Sequence, residues 1–344
     1  MRKTMCLFIC ITSIWAQTTS NPDFSVIGQL SIQRSDSSVA LNGADLELAI
    51  TGYLNPYARA EVYLHKHNVS AALEVEEAVL TIERGLPFGT AARIGHLRPS
   101  LGLINREHEH LWPFIVAPKS AVEIAGEEMW SGTGAEFSWL LPLPWAVDVS
   151  LGAFSGGLSA EEHGHEESAE DHSESGSGEP PVCVGRLGNF FELGQVTHLG
   201  IGSSFYLDPD ENRKILNLDS KLRWRPDSYR GLTIQGEVFF NLADADSANV
   251  LIEEGHSEAL EYSTYAFANY KFNRKWNIGL MLDGLKHEGE EIAWSPGVFF
   301  GFSPVEESTV LRVVLQNNTH DDKSDLLTLI QLIWSLGPHK PHSF

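Results

Sequence analysis

Cysteine and cationic side chains are both scarce in this chain. Two of its three cysteines, Cys6 and Cys10, lie in an apolar N-terminal run, and Cys183 alone cannot form an internal disulfide framework. Lysine and arginine together number 24 against 46 aspartates and glutamates, which gives a formal net charge of −22 over 344 residues. Because phosphate binding requires a cationic surface, we expect no nucleic-acid partner.

Long apolar runs are also missing, except at the N-terminus. Arg2 and Lys3 precede the apolar run from Met5 to Trp15, and the polar stretch QTTSNP follows Ala16. This order predicts a cleaved signal peptide over residues 1–16, with a buried N-terminal helix as the alternative. No later run is long enough for a transmembrane helix. If the mature chain enters a membrane, it must therefore cross it as a closed barrel.

Alternating apolar and polar residues are abundant. In ARAEVYLH, for example, Arg59 and Glu61 share one face, while Val62 and Leu64 share the other. Alternation with a period of two residues predicts strands with one apolar and one polar face. We count sixteen candidate strands, near residues 23–33, 44–54, 57–66, 72–83, 90–98, 132–141, 145–154, 184–193, 197–206, 216–226, 232–242, 261–272, 276–285, 293–303, 309–318 and 326–336.

The connections between these strands alternate in length. Short turns such as NP at 55–56 and PLP at 142–144 alternate with longer connections, at 99–131, 155–183, 207–215, 243–260 and 319–325. A soluble sandwich has no reason to sort its connections in this way, whereas outer-membrane barrels do. The sequence predicts an all-β fold for residues 17–344: a transmembrane antiparallel β-barrel of about 16 strands with short periplasmic turns and long extracellular loops. Its predicted location is the bacterial cell outer membrane.

Three segments carry a family resemblance. Residues 93–114 read RIGHLRPSLGLINREHEHLWPF, GEE and TGAEFSWLLPLPW lie within 126–145, and LIQLIWSLGPH lies near the C-terminus. Together they resemble a bacterial outer-membrane family that is porin-like and related to phosphate-selective porins, some members of which are labelled zinc-regulated TonB-dependent outer-membrane receptors. The first motif matches at Gly95, Arg98, Pro99, Gly102, Asn105, His108, His110, Pro113 and Phe114.

The resemblance implies a barrel that conducts or takes up small solutes. A gated receptor of that label carries an N-terminal plug domain inside a barrel of about 22 strands. Here the first predicted strand begins near residue 23, shortly after the predicted cleavage at Ala16. We therefore expect a porin-type channel, in which the long connection 99–131 folds into the lumen and narrows the pore.

Two groups of histidines are candidate metal ligands. His108 and His110 lie two residues apart, so that in extended chain both imidazoles could reach one ion; the alternative is that they bond loop carbonyls. His163, His165 and His172 lie in the acidic stretch EEHGHEESAEDHSE of the predicted extracellular loop 155–183. This composition favours weak binding of zinc or another divalent cation over a preformed site. No other cofactor is expected.

The polar faces of the strands are predicted to line the pore, at Arg59, Glu61, Asp148, Lys221, Arg223, Arg225, Glu237 and Arg312. Lys221, Arg223 and Arg225 form a cationic row that would attract anions, or would pair across strands with Glu237 or Glu192. The net charge of −22 favours cations at the pore mouths instead. Because these two charge patterns point to opposite preferences, the sequence does not decide between cation and anion selectivity.

The sequence contains no G-x-S-x-G elbow, H-E-x-x-H motif or phosphate-binding loop, and we expect no enzyme. The predicted function is a porin-type channel for passive or semi-selective passage of small hydrophilic solutes or ions, with a link to divalent metal (zinc) uptake. The alternatives are a metal-related outer-membrane receptor that needs an energising partner, and a structural or enzymatic barrel. Expected partners are outer-membrane lipid, the solutes, and two further copies in a homotrimer.

Overall fold

The computed structural model describes residues 22–35, 38–68, 70–158, 180–242, 260–305, 308–320 and 323–337. The predicted signal peptide at 1–16 lies outside these residues, as do His163, His165 and His172. In the described part of the chain, sixteen strands account for nearly all regular structure. They are β1 (Asp23–Arg34), β2 (Val39–Asn55), β3 (Ala58–Lys66), β4 (Glu74–Ile82), β5 (Ala91–Leu97), β6 (Gly132–Leu141), β7 (Ala146–Ser155), β8 (Val182–Glu192), β9 (Thr197–Asp208), β10 (Arg213–Trp224), β11 (Gly231–Asn241), β12 (Leu260–Lys271), β13 (Trp276–His287), β14 (Ala293–Val305), β15 (Thr309–His320) and β16 (Lys323–Leu336).

The strands form one closed antiparallel barrel. Each strand pairs with its neighbours in the chain, and β1 pairs with β16, where Val26 lies opposite Leu336 and Arg34 opposite Thr328. Closure leaves no strand edge unpaired, which is the condition for crossing lipid with strands. The prediction of an all-β antiparallel barrel with 16 strands is confirmed.

The long connections share one end of the barrel. The three longest intervals, 98–131, 156–181 and 242–259, follow β5, β7 and β11, which all run in the same direction. Two connections that were predicted to be long, 207–215 and 319–325, are shorter, because β9 ends at Asp208, β10 begins at Arg213, β15 ends at His320 and β16 begins at Lys323. Asn212 allows the turn after β9, since it adopts the left-handed conformation with φ 51°.

The outer surface is apolar around the barrel. Large hydrophobic side chains stay exposed at alternate positions; Leu280 is 63% exposed and Ile234 43%, and further examples are Phe137, Leu151, Leu187, Ile201, Phe205, Leu218, Leu282, Val298, Phe300, Leu311, Leu315, Ile330 and Leu332. A soluble protein does not expose apolar surface on this scale, whereas lipid solvates it. This surface, on a closed barrel with an even number of strands, makes the protein a bacterial outer-membrane barrel. No helix among the described residues is long and apolar enough to cross a membrane.

The interior is less polar than the alternation predicts. Phe267, Met281, Phe299 and Val314 are buried on the inner faces of β12 to β15, within one hydrophobic cluster. That cluster also contains residues of the connection between β5 and β6, among them Leu101, Ile104, Trp112, Phe114, Ile115 and Ile124. This connection, residues 98–131, is called the 98–131 segment below. It includes two short 3₁₀ turns (Ile104–Arg106 and Glu109–Leu111) and the helix α1 (Lys119–Ala125).

Candidate functional site

The 98–131 segment is closed at its base by Asn105. The side-chain amide of Asn105 donates to the carbonyls of Pro99 and Trp130, both at 3.1 Å, and its oxygen accepts the N–H of Trp130 at 2.8 Å. Asn105 is 2% exposed. The two ends of the segment are therefore held together by one buried amide, so that the chain between them forms a defined loop.

Carboxylates from the barrel wall accept backbone N–H groups of the segment. They are Glu77 of β4 for Arg98 (2.8 Å), Glu136 of β6 for Ser100 (2.9 Å), Glu237 of β11 for Leu103 (2.9 Å) and Ile104 (2.8 Å), and Asp283 of β13 for Lys119 (2.5 Å) and Ser120 (3.1 Å). β4 and β6 lie on one side of the barrel, and β11 and β13 lie seven strands further along the closed order, on the other side. The segment is thus hydrogen-bonded to two opposite sides of the wall.

Gly102 makes the contact with Glu237 feasible. Its φ of 68° lies in the left-handed region, and a Cβ atom there would coincide with the Glu237 carboxylate. Its own N–H donates to the hydroxyl of Ser204 on β9 at 2.8 Å. A glycine is therefore required at this position for both conformational and steric reasons.

Aromatic side chains pack the segment against the same walls. The ring of Phe114 lies 5.4 Å from that of Phe267 and 6.1 Å from that of Phe299, edge to face in both cases. Trp130 packs in the same manner on Phe154 and Tyr206, at 5.7 and 5.3 Å. Such pairs stabilise packing beyond their buried area, so hydrogen bonds and apolar contacts both fasten the segment.

The predicted pore-lining cations have two kinds of environment. Arg312 of β15 is 8% exposed and donates to the carbonyls of His110 (2.8 Å) and Phe114 (3.3 Å). Lys221 of β10 pairs with Glu107 of the segment at 2.7 Å, and not with Glu237 or Glu192, the cross-strand partners considered from the sequence. Arg223 is partly exposed and Arg225 exposed on the same strand.

The remaining predicted pore-lining residues lie on β3, β7 and β11. Arg59 is partly exposed and pairs with Glu61 at 3.3 Å and with Glu83 at 3.2 Å. Asp148 is exposed, whereas Glu61 is 5% and Glu237 1% exposed. Polar residues on the inner faces therefore divide into buried groups that hold the fold and accessible groups that water reaches.

His108 and His110 lie together against an acidic part of the wall. The Nε2 atom of His108 is 3.2 Å from Glu77, and its Nδ1 atom lies 3.4 Å from Glu76 and 3.8 Å from Glu47. The Nδ1 atom of His110 is 3.0 Å from the same carboxylate oxygen of Glu47. The two imidazoles thus share Glu47 as a neighbour, and their acidic neighbours belong to the wall strands β2 and β4. Binding of one metal ion by both imidazoles stays a prediction.

Burial and charge act in opposite directions on this cluster. Burial disfavours the charged imidazole of His108, but the carboxylates of Glu76 and Glu77 outweigh it and raise the pKa of His108 to about 9. Burial also raises the pKa of the neighbouring Glu109 to about 7. A proton on His108 therefore adds to the positive charge of Arg98, which pairs with Glu76, and of Arg93, which pairs with Glu77.

A further set of ligand atoms adjoins this cluster and was not apparent from the sequence. Asp45, His65 and His67 each place one ligand atom within 4.8 Å of the others, and the rings of His65 and His67 are 4.1 Å apart. Part of the sequence signal was present: Asp45 and Glu47 lie two residues apart on β2 and share one face, and His67 follows His65 by two residues just beyond the end of β3. His96 lies apart from them, bonded to Ser131 and Thr133.

Comparisons with solved structures define the class of fold. This chain matches the outer membrane channel DcaP of Acinetobacter baumannii with a TM-score of 0.57 and 11% identity, over 92% of this chain and 96% of DcaP. It matches OprB of Pseudomonas putida with a TM-score of 0.63 and 9% identity, over 92% of this chain and 94% of OprB. It matches a mutant of the Rh. blastica porin with a TM-score of 0.57 and 9% identity, over 91% of this chain and 99% of that porin. The fold is therefore that of an outer-membrane porin.

Sequence comparison adds one relative. A protein of Aquifex aeolicus (strain VF5) with no described function is 26% identical over 306 residues, covering 78% of this chain. The chain spans 63% of the length of that relative. No family model matches the chain. The porin-like part of the family resemblance agrees with these comparisons, whereas the phosphate-selective and zinc-regulated labels stay predictions.

Proposed function

We propose that the protein is an outer-membrane channel for small hydrophilic solutes or ions, in which the 98–131 segment forms the constriction. The observation that carries this proposal is the set of wall carboxylates on β4, β6, β11 and β13 that accept backbone N–H groups of the segment. A segment bonded to two opposite sides of the wall occupies the lumen and leaves passage only beside it. We expect passage to be passive or semi-selective, as in a porin-type channel.

The charge of the wall supports a channel for charged or polar solutes. Acidic residues cluster on β2 to β4, at Asp45, Glu47, Glu61, Glu76 and Glu77, while β10 carries Lys221, Arg223 and Arg225. In a closed barrel of sixteen strands, β2 to β4 lie opposite β10 to β12. Glu61, Glu76 and Glu77 pair with cations of the wall or of the segment. We therefore expect the accessible cations of β10, Arg223 and Arg225, to act on solutes during passage.

Replacement of the segment tests the constriction. Because Asn105 and Trp130 are hydrogen-bonded, residues 106–129 can be replaced by a short Gly/Ser linker without displacing β5 or β6. We expect single-channel conductance in planar bilayers to rise several-fold, with the barrel still folded as judged by heat-dependent mobility in SDS gels. The matched control replaces the four-residue turn 142–145 at the other end of the barrel by a linker of equal length. An intact barrel with unchanged conductance would contradict the proposal that the segment forms the constriction.

Divalent metal uptake is the second candidate function, and the observation that favours it is the histidine and carboxylate cluster at Glu47, Glu76 and His108. Reconstituted vesicles containing a zinc-sensitive dye would distinguish the candidates. Zinc entry faster than that of a neutral sugar of similar size supports metal uptake; equal rates support the general channel. A receptor would show no entry of zinc without its energising partner.

The homotrimer stays a prediction, to be measured by cross-linking in native membranes.

A further inference from the structure

Three ligand groups from separate parts of the chain meet beside the wall. Glu47 of β2, Glu76 of β4 and His108 of the 98–131 segment each place one ligand atom within 4.8 Å of the other two. Glu47 and Glu76 also line a small cavity of about 20 Å³, together with Asp45, His65 and His110. That volume is enough for one water molecule or one ion.

One atom of this set has no hydrogen-bond partner. His108 is 5% exposed, and its Nδ1 atom is buried without a hydrogen bond. It faces Glu76 at 3.4 Å and Glu47 at 3.8 Å. In a tetrahedral zinc site with bonds of about 2.0–2.1 Å, neighbouring ligand atoms stand about 3.3 Å apart. The two separations from His108 Nδ1 are therefore close to the spacing of such a site, and the carboxylates of Glu47 and Glu76 lie within 4.8 Å of each other.

The surrounding groups hold these ligands in the way that metal sites require. The other nitrogen of His108 lies 3.2 Å from Glu77, and a carboxylate in that position fixes the orientation of a ligating imidazole. The backbone N–H of Arg98 donates to Glu77 at 2.8 Å, and the Arg98 guanidinium pairs with Glu76. His110 holds Glu47 at 3.0 Å. Each of the three ligands thus has a partner that orients it.

We propose that Glu47, Glu76 and His108 bind one divalent first-row transition-metal ion, which bridges the 98–131 segment to the barrel wall. Two carboxylates and one imidazole suit ions such as zinc, whereas calcium and magnesium prefer sites with oxygen ligands only. Asp45 and His65 of the second set line the same cavity, and that set is less buried, so it marks the side from which the ion enters. The site stands on these contacts and does not depend on conduction through the channel.

The binding test uses the full barrel with His163, His165 and His172 replaced by alanine, so that the acidic loop does not contribute. After chelation, zinc alone is titrated by calorimetry, and cobalt alone is followed by its visible absorption. We expect one ion per chain, with His108→Asn and Glu47→Gln each weakening binding by about 100-fold or more. His96→Asn is the matched control and should change the affinity less than about threefold, because His96 belongs to neither ligand set.

The bridge is tested on the same proteins by trypsin digestion at Arg106 and Lys119, two cleavage points within the segment. Zinc should slow this cleavage in the parent and in His96→Asn, but not in His108→Asn. Absence of stoichiometric binding, or equal affinity in the parent and both ligand variants, would overturn the site. Binding without protection from trypsin would overturn the bridge. Conductance is measured separately, so that an open channel without metal binding counts against this inference and leaves the proposed function in place.

Discussion

The carboxyl group of Glu237 on β11 accepts the backbone N–H of Ile104 at 2.8 Å, so a side chain of the wall binds the 98–131 segment through its main chain. Glu237 also accepts the N–H of Leu103 and the side-chain amide of Asn217, and Tyr265 donates its hydroxyl to the same group. It is 1% exposed. One buried acceptor thus serves four donors, and the position of the segment depends on it.

Glu237→Ala should release this part of the segment. Each buried donor left without a partner costs on the order of 1–3 kcal/mol, and the loosened segment would widen the passage. We expect higher single-channel conductance with more frequent transitions between levels. Asp219→Asn is the control, since Asp219 is equally buried but pairs with Arg186 across the wall at 2.6 Å. If both variants conduct like the parent, Glu237 does not position the constriction.

The apolar packing of the segment is tested by Phe114→Ala. Removing a buried phenylalanine costs about 3–5 kcal/mol, and here the loss falls on the contact of Phe114 with Phe267 and Phe299. We expect faster trypsin cleavage within the segment while the strands stay protected. Phe300→Ala, on the strand that carries Phe299 but facing lipid, should leave the cleavage rate unchanged. Equal rates in all three proteins would show that packing does not hold the segment.

The fold could be predicted because the barrel depends on local alternation and on the sorting of connections. The position of the 98–131 segment depends on contacts that are distant in sequence, such as Ile104 with Glu237, and no local pattern reports them. Phe267 and Phe299 are examples. An aromatic residue on an alternating strand gives the same sequence pattern whether it faces lipid or a buried segment, so the pattern alone does not tell which face it lies on. Glu47 and Glu76 likewise could not be predicted as candidate metal ligands, because only the folded structure places His108 beside them.

The lipid-facing surface gives a prediction about insertion. Leu280 lies on the outer face of β13 and is 63% exposed, so Leu280→Arg would place a charge in hydrocarbon at a cost of about 2–4 kcal/mol near the bilayer centre. We expect a lower yield of folded barrel in lipid vesicles and unfolding at a lower urea concentration. The inward-facing substitution Asp148→Arg adds the same side chain to the lumen and should fold like the parent. Equal folding of both variants would contradict the assignment of the two faces.

The accessible charges of the lumen give a prediction about ion selectivity. Asp148 is exposed on β7 and Arg223 partly exposed on β10, so ions that pass beside the segment come within reach of both. Asp148→Arg should shift the reversal potential in a salt gradient towards anion preference, and Arg223→Glu should shift it towards cation preference, because each change alters the local charge by two. Both shifts should shrink as the salt concentration rises, since screening shortens the reach of a fixed charge. Shifts of the same sign in both variants would show that neither side chain lies along the path of the ions.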